Sequence, residues 1–214
     1  MNLILFYTPG ACSLVPYLTL TEAGADFQVQ PVNMGKGEHL KPEYDRVNPK
    51  HKVPVLVIDG EPLTENVALQ IWIARQFPQA RLLPSGSLEE MRAIAFLAWC
   101  ASAIHPAITP NARPQRYCDL PGSEDSVRRC AQALLKQHFA VAEQSLEGRD
   151  WFFADHYTAA DAYFYWCFRR AGQLGTDLLA FPNCHAHFER MEARPSTQKL
   201  LAYEAEVIAE FARA

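Results

Sequence analysis

The sequence predicts a small α/β domain followed by an all-helical one. Three observations carry that prediction. Short β-type apolar runs all lie before residue 85, and beyond it the apolar residues recur at helical spacing. Between the two regimes, Arg81 to Ser87 contains Leu-Leu-Pro-Ser-Gly-Ser, a linker composition. In this reading residues 1–81 form the first domain, 82–88 the linker and 89–214 the helical domain. At 214 residues and 24.1 kDa the chain is long enough to give both a core.

The first domain is justified element by element. Leu3 to Tyr7, Phe27 to Val32, Val55 to Ile58 and Glu61-Pro62-Leu63 read as strands, and Asp59-Gly60 between the last two reads as a tight hairpin turn. Ser13 to Ala23 is helical in pattern and stops at Gly24, a residue suited to the left-handed position after a helix. A second helix fills Asn66 to Phe77 and ends before Pro78. A β-α-β start followed by β-β-α makes a small mixed sheet with helices against it.

In the second domain, Glu89 to His105 puts Met91, Ile94, Ala98, Ala101 and His105 on one helical face. Ser126 to Leu146 repeats the pattern with Val127, Ala131, Leu134, Leu135, His138, Val141 and Ala142. Four prolines make Pro106 to Pro121 read as an irregular connection. Thr158-Ala-Ala-Asp161 is a helix-start box ahead of the apolar Ala162 to Phe168, whose aromatics have core spacing.

Composition excludes several function classes. Hydrophobic residues make up 49% and charged residues 21%, ordinary for a folded protein. The net charge of −4 divides into −2 on each side of residue 80, so the basic footprint of a nucleic-acid binder is missing. No basic leader precedes Leu3, and the longest uncharged apolar stretch, Ala93 to Ala101, is about half a membrane span. A soluble, cytoplasmic protein with neither nucleic-acid nor membrane partner is expected. Six cysteines are scattered singly without a Cys-x-x-Cys pair, which argues for free thiols. Cys184-His185-Ala-His187 has metal-type residues, yet with Phe188 and Met191 it reads as one turn of helix, and no metal is expected.

Chemistry concentrates in three short segments. Cys12 follows Pro9-Gly10-Ala11 at the end of the first strand, and Pro16, tolerated only in a first turn, pins a helix start beside it. Amides at a helix start lower a thiol pKa, so Cys12 reads as a one-thiol reactive site or as a small buried hydrophobe. Val53-Pro54 stands at a strand entrance; if its peptide bond is cis, the Val53 backbone turns outward to pair with an extended peptide. In Thr64-Glu65-Asn66, helix-start amides suit a carboxylate and Glu65 suits an ammonium, unless Thr64 or Asn66 is a plain cap.

Together, Tyr7-Thr-Pro-Gly-Ala-Cys12-Ser-Leu, Asn48-Pro49-Lys-His-Lys-Val53-Pro54-Val-Leu and Leu63-Thr-Glu65-Asn66-Val-Ala resemble the glutathione-site segments of cytosolic glutathione transferases. The cysteine after Pro-Gly-Ala is most similar to the bacterial beta class, and Phe188 to Pro195 resembles the family's late-helix signature. The resemblance implies a thioredoxin-like N-terminal domain, an all-α C-terminal domain and a homodimer conjugating glutathione to hydrophobic electrophiles. It implies that Val53 pairs with the cysteinyl unit, Glu65 takes the γ-glutamyl ammonium, Asn66 that unit's carboxylate and Lys36 the glycine carboxylate. Cys12 then holds the sulfur, as a mixed disulfide or as a neighbour stabilising the thiolate, with Ser13 and Tyr7 as alternative activators. His105 matches a catalytic histidine and Ser102 a position reaching glutathione across the dimer. Ile104, Ile108, Arg113, Tyr117 and Tyr165 are candidates for the lining of the electrophile pocket, which the sequence leaves open. Asn66 stands where Ser or Gly is more usual, and Ala98 where an Asn is common. Two other readings on this scaffold are a non-catalytic binding module and a specialised dehalogenase, isomerase or lyase.

Overall fold

A computed structural model describes Met1–Arg213, which divide into two compact units: 1–83 with 193–213, and 84–192. The first opens with β1 (Leu3–Tyr7), α1 (Leu14–Glu22) and β2 (Gln28–Pro31), then the four-residue helix α2 (Pro42–Asp45). The hairpin β3 (Val55–Ile58) and β4 (Glu61–Thr64) follows, and α3 (Asn66–Gln76) completes the β-β-α half. The sheet order is β2-β1-β3-β4, with β1 and β2 parallel and the remaining pairs antiparallel. This is the mixed sheet the sequence implies. Asp59 and Gly60 both take positive φ, 49° and 96°, the backbone a tight hairpin needs, and Gly24 ends α1 at 66°. Leu3, Leu5 and Tyr7 alternate inward along β1 onto a core that includes Leu14, Leu18, Val55, Leu56, Leu69 and Ile73.

The last helix of the chain, α9 (Pro195–Arg213), packs on α1 and so belongs to the first unit, whereas the sequence reading runs the helical domain to its end. The reason is specific. Arg194 donates from Nε and Nη2 to the two oxygens of Glu22 at 2.9 and 2.7 Å, Ser196 donates to the same carboxylate, and Tyr203 stacks on Tyr17 at 5.6 Å. Burial alone would raise the Glu22 carboxyl pKa, but the hydrogen bonds from Arg194 and Ser196 outweigh it and hold it below its usual value. A depressed carboxyl contributes stability above its unfolded pKa of about 4.3 and loses it as pH falls through the folded value. With side chains only 25% and 19% exposed, Arg194→Leu should cost about 1–2 kcal/mol at pH 7 in urea unfolding. That difference should shrink as pH falls from the usual carboxylate range through the lowered folded value of Glu22.

The second unit contains α4 (Ser87–Trp99), α5 (His105–Ala112), α6 (Glu124–Ser145), α7 (Ala159–Gln173) and α8 (Pro182–Glu192). Between α4 and α5 lies a π-turn, Cys100–Ile104, in which His105 N–H bonds Cys100 C=O. Pro106 and Pro110 are therefore helical rather than irregular: Pro106 falls in the first turn of the renewed helix, where a missing N–H is tolerated. The run Ser87–Ala112 is long and apolar enough by composition to cross a bilayer, yet Ala93, Leu97, Cys100, Ile104, Ala107 and Ile108 are buried within the unit, as in a core helix. These buried residues correct the expected face of α4. Met91 is 50% exposed and Ala98 is exposed, because the helix is apolar on two sides and periodicity fits either. Likewise Ala131, Leu135, Phe139 and Ala142 face inward from α6, while Leu134 and Val141 face out. Every residue from Ala159 to Phe168 of α7 is buried, as its spacing predicts.

Candidate functional site

In the first unit, the loop between β1 and α1 presents Cys12, and side chains close that loop on itself. Thr8 N–H donates to Ser13 Oγ at 3.0 Å, Ser13 Oγ donates back to Thr8 C=O at 3.3 Å, and Thr8 Oγ1 donates to Val32 C=O at 2.8 Å. The Ser13 hydroxyl thus holds the loop. Tyr7 is fully buried among Tyr17 and Tyr203, and its hydroxyl donates to Glu204. Both alternative activators are therefore engaged in shaping the loop.

Cys12 Sγ instead donates to Val53 C=O at 3.5 Å, across a Val53–Pro54 bond that is cis. Val53 and Ala11 also pack into one apolar cluster with Val32 and Tyr44. The Val53 N–H meets no partner among the described residues, so it presents an unused donor to an extended peptide. The turn leading to Val53 is braced by Lys52 C=O, which accepts from Tyr44 Oη and Asn48 Nδ2, each at 2.8 Å.

The charge state of Cys12 differs from the sequence expectation. Burial pushes the thiol up to about 12; its own backbone N–H lowers it, Glu65 raises it further and Lys52 pulls it down. The helix start is close by, but for a side chain 8% exposed desolvation wins. At neutral pH Cys12 is a neutral S–H donor.

On α3, Asn66 is buried and its Nδ2 donates to Cys12 C=O at 3.0 Å. One hydrogen of its side-chain amide is thereby engaged by the cysteine loop. Glu65 precedes that helix at φ 72° with its carboxylate exposed and paired with Lys50 Nζ, which also donates to Thr64 Oγ1 at 2.8 Å. Lys36 is exposed at the end of a 3-10 turn, Met34–Lys36; its backbone N–H is held by Asn33 Oδ1 at 3.1 Å, and its ammonium has no partner among the described residues.

Two further residues of this unit escape sequence reading. Glu204 of α9, 5% exposed, accepts from Gly10 N–H at 2.6 Å and from Tyr7 Oη at 3.4 Å, and so clamps the loop's backbone from 194 residues away. Lys50 reaches Glu65 from the Asn48 turn. No local pattern marks either one.

In the second unit, Ser102 lies exposed in the π-turn. His105 follows it, with Nδ1 at 3.1 Å from Tyr163 Oη and its ring edge-on to Trp166 at 4.3 Å. Of the candidates for the pocket lining that the sequence leaves open, Arg113 and Tyr117 are exposed, while Ile104, Ile108 and Tyr165 are core. Tyr165 is stacked on Phe188 and bonded to Glu192. His187 is buried against Asp161, with Nε2 at 3.0 Å from Oδ1, while His185 is exposed.

Comparison with known proteins places the whole chain in one family. The family of glutathione S-transferase N-terminal domains matches residues 1–75, and that of the C-terminal domains matches 99–195. Glutathione S-transferase GstA of Escherichia coli O157:H7 is 34% identical over 203 residues, covering 94% of this chain and 98% of the relative. A sphingomonad glutathione S-transferase solved with glutathione is 34% identical with a TM-score of 0.83, over 94% of this chain and 98% of that one. The beta class enzyme of Sphingomonas chungbukensis is 34% identical with a TM-score of 0.82 over the same shares. With the motifs, the mixed-sheet unit and both family halves in agreement, the chain belongs to the glutathione S-transferase family and is most like its bacterial beta class.

Proposed function

We propose that the protein conjugates the glutathione thiolate to hydrophobic electrophiles in the cytoplasm, working as a homodimer without a metal. The observation that carries this reading is the convergence of the Cys12 S–H and the Val53 backbone beside a cis-Pro54. Val53 pairs with the cysteinyl unit, and Glu65 and the α3 amides take the γ-glutamyl ammonium and carboxylate. Lys36 takes the glycine carboxylate. Ser102 is the residue proposed to reach glutathione across the dimer, and His105, with Nδ1 at 3.1 Å from Tyr163 Oη, is the catalytic histidine proposed for the helical unit. Leu88, Met91, Leu134 and Val141 on the helical unit are apolar and about half exposed or more.

In this scheme Cys12 acts as a donor. A neutral S–H facing Val53 turns to the glutathione sulfur and stabilises its thiolate, which then attacks the electrophile. Steady-state conjugation tests the scheme. Cys12→Ser keeps a donor and should retain activity within about tenfold, whereas Cys12→Ala should lose about ten- to a hundredfold. Oxidised glutathione should add to Cys12 only slowly, because the thiolate fraction is small and grows about tenfold per pH unit below the thiol pKa. An intact-mass time course showing rapid adduct formation at pH 7, lost in Cys12→Ala, would instead favour the mixed-disulfide role.

A further inference from the structure

We infer that Lys50 occupies the ammonium position of Glu65 in the free protein and is displaced by the incoming ligand, so that it sets affinity and selectivity at that position. The inference rests on the glutathione reading above. Glu65 is the carboxylate offered to the γ-glutamyl ammonium, yet its oxygen is already held by the Lys50 ammonium, which also takes the Thr64 hydroxyl at 2.8 Å. A lysine ammonium and a ligand ammonium are the same chemical group, a compact cation with three donors. Two of them at one carboxylate repel, so the ligand's amine and Lys50 compete.

The backbone beneath Lys50 is fixed, which confines the exchange to its side chain. Lys50 N–H donates to Asn48 Oδ1 at 3.1 Å, His51 N–H donates to Asn48 C=O at 2.9 Å, and Asn48, 1% exposed, bonds Lys52 C=O. The four-carbon arm can swing into solvent without moving this turn. Both charged groups are exposed, 50% for Lys50 and 71% for Glu65, so the ion pair is weak enough to give way. Displacing a pair of this kind should weaken ligand binding about two- to fivefold.

Titration calorimetry on the intact protein tests the inference, using glutathione and N-acetylated glutathione, which lacks the ammonium. Lys50→Met should tighten glutathione binding about threefold and leave the acetylated ligand unchanged. In a Glu65→Gln background the same substitution should have no effect on glutathione, since the contested carboxylate is gone. Weaker or unchanged glutathione binding by Lys50→Met overturns the displacement while leaving the glutathione reading intact, as does an equal change for both ligands. Failure of the wild-type protein to bind glutathione overturns that reading and the displacement with it.

Discussion

Replacing Asp161 by alanine is expected to remove about 4 kcal/mol from the stability of the helical unit, enough to lower its melting temperature by about 10 °C. The carboxylate is fully buried and serves three elements at once. Its Oδ2 accepts from Thr158 N–H and Oγ1 at 2.8 and 2.7 Å, and its Oδ1 accepts from Phe152 N–H at 3.1 Å and from His187 Nε2 at 3.0 Å. His187 stands among Trp151, Phe152 and Phe164, so neither it nor the Phe152 amide has water to turn to once the carboxylate is gone. Each buried donor so stranded costs about 1–3 kcal/mol. Asp161→Asn keeps one acceptor oxygen and should lose roughly half as much. A second variant, His187→Phe, removes one donor together with its need for a partner and should cost under about 2 kcal/mol. If Asp161→Ala melts within 3 °C of the parent, the four bonds do not hold the unit together.

Legibility followed the range of the interaction. Asp59-Gly60, Gly24 and Pro78 act on their own neighbours, so turns and helix ends could be placed from residue type alone. The Cys12, Val53-Pro54 and Glu65-Asn66 segments carry their chemistry in adjacent residues, and the structure brings Cys12 into contact with both Val53 and Asn66. What could not be read depends on burial or on distant partners. The pKa of Cys12 turns on how deeply the loop packs, which outweighs the helix start that the sequence does show. Pro106 reads as a breaker because the π-turn that accommodates it has no residue signature. The apolar residues on both sides of α4 left its inner face undetermined, and Glu204 looks in sequence like any surface glutamate of an amphipathic helix.

That glutamate supplies the second large effect. Glu204→Leu should depress conjugation about tenfold or more and cost about 2–3 kcal/mol, because the cysteine loop loses the acceptor for Gly10 N–H and Tyr7 Oη at one stroke. Gly10 sits at φ 70° two residues before Cys12, so an amide no longer held at 2.6 Å lets the loop relax where the thiol is aimed. Glu204→Gln retains a side-chain oxygen of nearly the same reach and should recover most of both losses, which separates hydrogen bonding from mere packing. The decisive readout is the division of the kinetic effect. If Glu204 only supports the fold, the Leu variant loses stability but, assayed well below its melting temperature, keeps kcat and the KM for glutathione. If it positions the loop, KM rises and kcat falls in the Leu variant, and both return toward wild type in the Gln variant. A Gln variant as impaired as the Leu variant would mean that the negative charge itself is required, assigning Glu204 an electrostatic rather than a geometric hold on the backbone that carries Cys12.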